Sequence, residues 1–239
     1  MGRPGMILGA LCLIGATVLV QHVSAQPEPN PLPLFASHDV LELRIDADFQ
    51  ALRRDRSSSP ARPASFTVLD AMRGQSQVVG EEIRTRGAFR LDSANCSFPP
   101  LRIDVDASDA IGTVFEGQDD LKLVSSCRPG RSAYDELVLT EFFIYRTYAL
   151  LSAQSLSVRM VEVTFRDTSE AHESETRPGF LIEDDDALAE RLGTEVFDLE
   201  EGKNLPAAAF DARSLLETAV FQYMIGNTDW SDVAGHNVE

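Results

Sequence analysis

The residues best suited to chemistry lie in the last thirteen positions, Asn227-Thr-Asp-Trp-Ser-Asp-Val-Ala-Gly-His-Asn-Val-Glu239. An apolar helix is expected to run into this segment and stop at Gly226, a residue that tolerates the left-handed conformation of a helix end. The loop beyond it carries Asp229, Asp232, His236 and Asn237. A carboxylate placed there can orient an acceptor hydroxyl, and a carboxamide can hold a divalent metal beside a phosphate. Phosphoryl-transfer loops divide the work in this way. The same residue types also build ordinary surface turns, so the rest of the chain has to discriminate.

Other candidates lie upstream. Lys122 sits in Asp120-Leu-Lys-Leu-Val124, whose alternation predicts a strand with the lysine facing opposite to its leucine neighbours. Glu141 falls among Leu137, Val138, Ile144 and Tyr145 at helical spacing, so its carboxylate needs a partner. Arg146 or another structural arginine would serve. Glu183-Asp-Asp-Asp186 reads as a helix start favoured by the dipole; the Asp-x-Asp-x-Asp-Gly spacing of a calcium loop is missing. There is no Gly-x-Ser-x-Gly elbow and no serine or cysteine partner for His236, which argues against a hydrolase. Nor is there a Gly-x₄-Gly-Lys or Gly-x-Gly-x-x-Gly loop, so any phosphate would have to be held by side chains.

The elements that must position these groups read as follows. Strands are expected at 40–45, 65–70, 78–90, 101–105, 120–124 and 157–165, and at 178–182, where the last two form a hairpin across a charged turn at 166–177. A short polar helix is expected at 46–56 and a serine- and proline-rich loop at 57–65. The longest helix, 133–151, would start on Ser132 as N-cap with Asp135 three residues on. A helix at 187–192 follows the acidic run. A mostly buried helix starting near Asp211 carries Leu215, Leu216, Val220, Phe221 and Met224 to Gly226.

Of 239 residues, 44% are hydrophobic and 25% charged, enough for a globular core. Arg3, the apolar run Met6–Val20 and Val23-Ser-Ala25 read as a signal peptide over 1–25, since the run is short for a span of about 20 residues. An uncleaved anchor is the rival reading. Cleavage leaves an exported chain with no stable membrane insertion. The net charge of −17 repels nucleic acid and anionic lipid. In an exported chain the remaining pair, Cys96 and Cys127, each at the end of an expected strand, reads as one disulfide rather than a zinc site.

Taken in order, these features resemble the CotH-type (spore-coat protein H-like) family of atypical secreted kinases. The resemblance is carried by Arg84-Thr-Arg-Gly87 with Phe98-Pro-Pro-Leu-Arg-Ile-Asp104, by Leu121-Lys-Leu-Val124 and the long helix after it, by Gly179-Phe-Leu-Ile-Glu183, and by Asn227-Thr-Asp-Trp230 with His236-Asn237. It implies an α+β, protein-kinase-like fold: a mostly antiparallel small lobe with one long helix over 78–183, then the start of a helical large lobe over 184–239. Residues 26–77 would add extra strands. It also implies roles. Asp229 would be the catalytic-loop aspartate and Asn237 a metal ligand. Lys122 would contact the α/β-phosphates and be held by Glu141, Glu183 would lie beside the adenine, and Arg86 and Arg102 would stand on the phosphate side. The implied cofactors are ATP with Mg²⁺ or Mn²⁺, and the implied partner is a secreted protein phosphorylated on Ser or Thr. A second metal-binding aspartate and the rest of the large lobe would follow Glu239, so the chain is expected to be a piece of a longer one. The competing expectation is a catalytically inactive envelope protein that binds a protein partner.

Overall fold

A computed structural model describes residues 32–70, 75–169, 173–197 and 206–231. The expected signal peptide over 1–25, Asp232, His236 and Asn237 lie outside them. Seven strands form a closed barrel in the order β1-β2-β3-β4-β5-β7-β6. They are β1 (Leu41–Ala47), β2 (Arg62–Asp70), β3 (Gln75–Thr85), β4 (Leu101–Val105), β5 (Asp120–Ser125), β6 (Val158–Asp167) and β7 (Ser174–Ile182). Six pairings are antiparallel, and β1 runs parallel to β6 with Leu43 opposite Val163. Among the described residues there are five α-helices: α1 (Phe49–Arg54), α2 (Ala107–Ala110), α3 (Ser132–Tyr148), α4 (Asp185–Leu192) and α5 (Ala212–Met224).

This corrects the expected kinase-like α+β fold with a helical large lobe. β1 bonds β2 on one edge and β6 on the other, so the sheet has no free edge to present and closes on itself. The strands before residue 78 are staves of that barrel. β2 begins at Arg62, inside the stretch read as a loop, because Pro63 near its start is tolerated where strands begin.

Alternation fills the interior. Leu43 and Ile45 of β1, Leu101 and Ile103 of β4, Leu121 and Leu123 of β5, Val161 and Val163 of β6 and Leu181 of β7 are all buried in one core with Phe66, Phe98 and Phe165. Gly179 faces inward where a Cβ would come within 2.8 Å of the Val124 carbonyl oxygen, so only glycine fits this close approach. A second, smaller core lies on the outer wall. Val124, Phe180, Ile182 and Val158 are covered by Val138, Phe142 and Tyr145 of α3 and by Leu188 and Leu192 of α4.

Helix ends follow local chemistry in part. Asp211 caps α5 by accepting the Ser214 N–H at 2.9 Å. Gly226, at φ +69°, takes the left-handed position after its last turn. Ser132, expected as the N-cap of α3, is instead its first helical residue, and Arg131 precedes it without a side-chain cap. The apolar residues of α5 were expected to be buried. Phe221 is, tilted against Tyr148 at 4.8 Å between ring centroids, but Leu216, Val220 and Met224 are exposed.

Candidate functional site: a cation row on the barrel wall

Residues of β3, β4 and β5 that point away from the core place three cations side by side. The register sets Arg84 opposite Arg102 and Arg102 opposite Lys122, with Ile182 of β7 next in line. Lys122 is only 5% exposed at its side chain, because Ile182 belongs to the patch under α3 and α4. A buried ammonium needs a counter-charge. The acidic run supplies it. Lys122 Nζ donates to Asp185 at 2.6 Å. Arg102 donates through Nη2 to Asp184 at 2.7 Å and through Nε to Asp120, and Arg84 reaches Asp120 at 2.9 Å. Asp184 is also the N-cap of α4, accepting from the Asp186 N–H. The run is therefore both a helix start and the lid of the cation row.

Three named cations thus face three carboxylates. Their arrangement can hold a chain of phosphates, because a phosphate can replace a carboxylate beside a cation that is already desolvated. Asp185 is the exchangeable member, with 37% of its side chain in solvent.

Sequence reasoning named Arg102 and Lys122 in this cluster and missed Arg84, Asp120, Asp184 and Asp185 as their partners. The neighbour relation Arg84–Arg102–Lys122 follows from strand register, which spacing alone does not provide. Arg86, named in place of Arg84, lies just past the end of β3, where its backbone N–H donates to the Pro100 carbonyl at 3.0 Å.

The expected Lys122–Glu141 pair is not formed. Glu141 lies on α3 with Arg90 at 3.8 Å, the structural-arginine alternative with a different arginine. Burial pushes its carboxyl above the usual range, against the opposing charges of Arg90 and then Arg86. Glu183 is buried beneath α4 rather than open to a ligand. Its carboxylate accepts the Ser157 N–H at 2.8 Å and a two-point contact from Arg191 at 2.9 and 3.1 Å.

Asp229 is exposed on the loop after α5, its N–H donating to Asn227 Oδ1 at 2.9 Å. Asn237 lies outside the described residues, so the proposed metal ligand has no described position. Among the described residues no group of three or more His, Cys, Asp or Glu is arranged to hold a metal, and no helix is long and apolar enough to cross a membrane. Cys96 and Cys127 form a disulfide between the segment leading into β4 and the one leaving β5, as expected from their places at strand ends. The chain matches no family model, no curated protein and no solved structure.

Proposed function

We propose that this chain is the nucleotide-binding part of an exported CotH-type phosphotransferase, one that moves the γ-phosphate of ATP, with Mg²⁺ or Mn²⁺, to Ser or Thr hydroxyls of secreted proteins. The carrying observation is the Arg84–Arg102–Lys122 row, desolvated in part and held by carboxylates at its solvent side. The reading rests on side chains, since the kinase-like fold does not stand. Export rests on the leader in the sequence. In this reading Asp229 orients the acceptor hydroxyl, and the nucleotide phosphates compete with Asp185 for Lys122.

The test is ATP binding by calorimetry, with and without Mg²⁺, on the full exported protein and on Lys122→Met, Asp185→Asn and Asp229→Ala. The expected outcome is at least about tenfold weaker binding in Lys122→Met, equivalent to ~1.4 kcal/mol. Asp185→Asn should bind more tightly, because a competing carboxylate has gone. Asp229→Ala should keep binding and lose transfer to a Ser/Thr peptide. A parent protein that binds no nucleotide would overturn the reading.

A second reading has its own observation. Leu137 and Phe143 of α3 and Leu216, Val220 and Tyr223 of α5 are large apolar side chains left exposed, the kind of surface that protein partners cover. An inactive envelope protein docking through these helices would show no nucleotide affinity in the same experiment.

A further inference from the structure

The barrel holds two buried inward arginines whose circumstances differ. Arg159, at the start of β6, donates to the Asp39 carbonyl at 2.6 Å and the Leu34 carbonyl at 2.9 Å. Arg177 of β7, opposite Val163, has its guanidinium over the rings of Phe98 and Phe165, 3.9 and 4.3 Å from their centroids. Its contact with Glu175 is long, at 3.4 Å, and that carboxylate is half in solvent. Its Nε and Nη2 have no hydrogen-bond partner among the described residues although both are buried. Burial lowers its pKa to about 10.

Arg53 lies close enough for its charge to disfavour those of both Arg177 and Arg56. Arg56 is buried, and its guanidinium donates to three backbone carbonyls, those of Arg53, Cys96 and Ser97. Neither Arg53 nor Arg56 has an acid within ion-pair distance among the described residues. Such crowding of like charge is costly unless an anion compensates it. Arg53, Arg54, Arg56, Ser57, Asp92 and Ser93 line an open cleft of about 580 Å³ at the end of α1. Its far rim is stitched in place by the Cys96–Cys127 bond and by Arg56. Arg54 is already paired with Asp55, and Asp92, which accepts the Ala94 N–H, offsets part of the charge of Arg56, so the positive charge left over on the cleft wall belongs chiefly to Arg53.

We propose that this cleft, on a chain of net charge −17, is a binding site for a small dianionic oxyanion of the phosphate type. Arg53 is its primary donor, and the Ser57 and Ser93 hydroxyls lie within the same walls. Guanidinium groups bind such oxyanions through paired N–H···O contacts, and a wall with three arginines against one aspartate favours a dianion over a monocarboxylate. The site shares no residue with the Arg84–Arg102–Lys122 row.

The test titrates the full protein with inorganic phosphate, O-phosphoserine and acetate at constant ionic strength, reading calorimetric heat and thermal midpoint. Parent protein should bind phosphate and be stabilised by it, with acetate at least tenfold weaker. Arg53→Gln should weaken phosphate binding about tenfold while leaving the midpoint without phosphate no lower than the parent's, since it relieves the crowding, and Lys122→Met should leave phosphate binding here intact. O-phosphoserine binding as tightly as phosphate would make the group on a phosphorylated molecule the natural source; phosphate alone binding would make the free ion the source. Equal stabilisation of parent and Arg53→Gln, or equal binding of acetate and phosphate, would overturn the proposal.

Discussion

Glu183 separates scaffold from ligand site most sharply. The substitution Glu183→Gln keeps the side chain's shape and removes its charge. In the parent, the carboxylate is 5% exposed and accepts one backbone N–H and two guanidinium N–H groups. The amide nitrogen of glutamine can only donate, so one of those three donors must face another donor. Breaking a buried ion pair costs ~3–5 kcal/mol. That figure is reduced here because Arg191 is 24% exposed and keeps its bonds to the Ala153 and Ser155 carbonyls. The expected loss is therefore about 2–3 kcal/mol. Urea unfolding should show it as a lower midpoint at unchanged slope. A double-mutant cycle with Arg191→Gln should return a coupling of about 1–2 kcal/mol. A loss below about 0.5 kcal/mol, the range of ordinary surface substitutions, together with a large fall in ATP affinity, would refute the scaffold role and return Glu183 to the adenine.

Glu141 has its carboxyl raised above 4.5 by burial, so its ionisation costs the folded state more than the unfolded one, and that penalty is complete above the raised value. Glu141→Gln should therefore be more stable than the parent at pH 7, the gap closing as pH falls towards 4.5; an equal gap in urea midpoint at pH 7 and pH 4 would contradict this. Replacing Cys96 and Cys127 by serine opens a loop with a sequence separation of 31, for which chain entropy predicts a loss of about 3–4 kcal/mol. A midpoint shift worth less than about 1 kcal/mol would show that the stitched segments hold by hydrogen bonds alone.

The parts of the fold governed by local chemistry were legible in the sequence. The alternations of Val40–Ile45, Leu101–Val105 and Ser157–Phe165 marked strands, Asp211 and Gly226 marked the ends of α5, and the β6–β7 hairpin was visible across its charged connection. Closure was not legible. A half-buried strand has the same period whether it belongs to an open lobe or to a barrel, and the β1–β6 pairing joins distant parts of the chain. The pairing of Lys122 with Glu141 came from the family resemblance alone. Asp185, which does pair with Lys122, comes near through the folding of α4 onto the wall, which no sequence spacing records. Arg177 was counted in a charged turn, yet it is buried inside the barrel. Stepping back by twos from Leu181 through Gly179 would have pointed it inward.

The parallel seam between β1 and β6 also imposes an order of events on the nascent chain. Arg159 of β6 reaches the Asp39 carbonyl across 120 residues, so β1 and β2 are synthesised long before the strand that completes them. Until β6 emerges, β1 offers a bare ladder edge to any neighbouring strand, and the chain is at its most vulnerable to aggregation. Closure then has to overcome a long loop entropy in one late step. Protection of the β1 amides that bond β6 rather than β2 should accordingly appear together with that in β6 during refolding, and early protection of those seam amides would show that the seam is not the last thing to form.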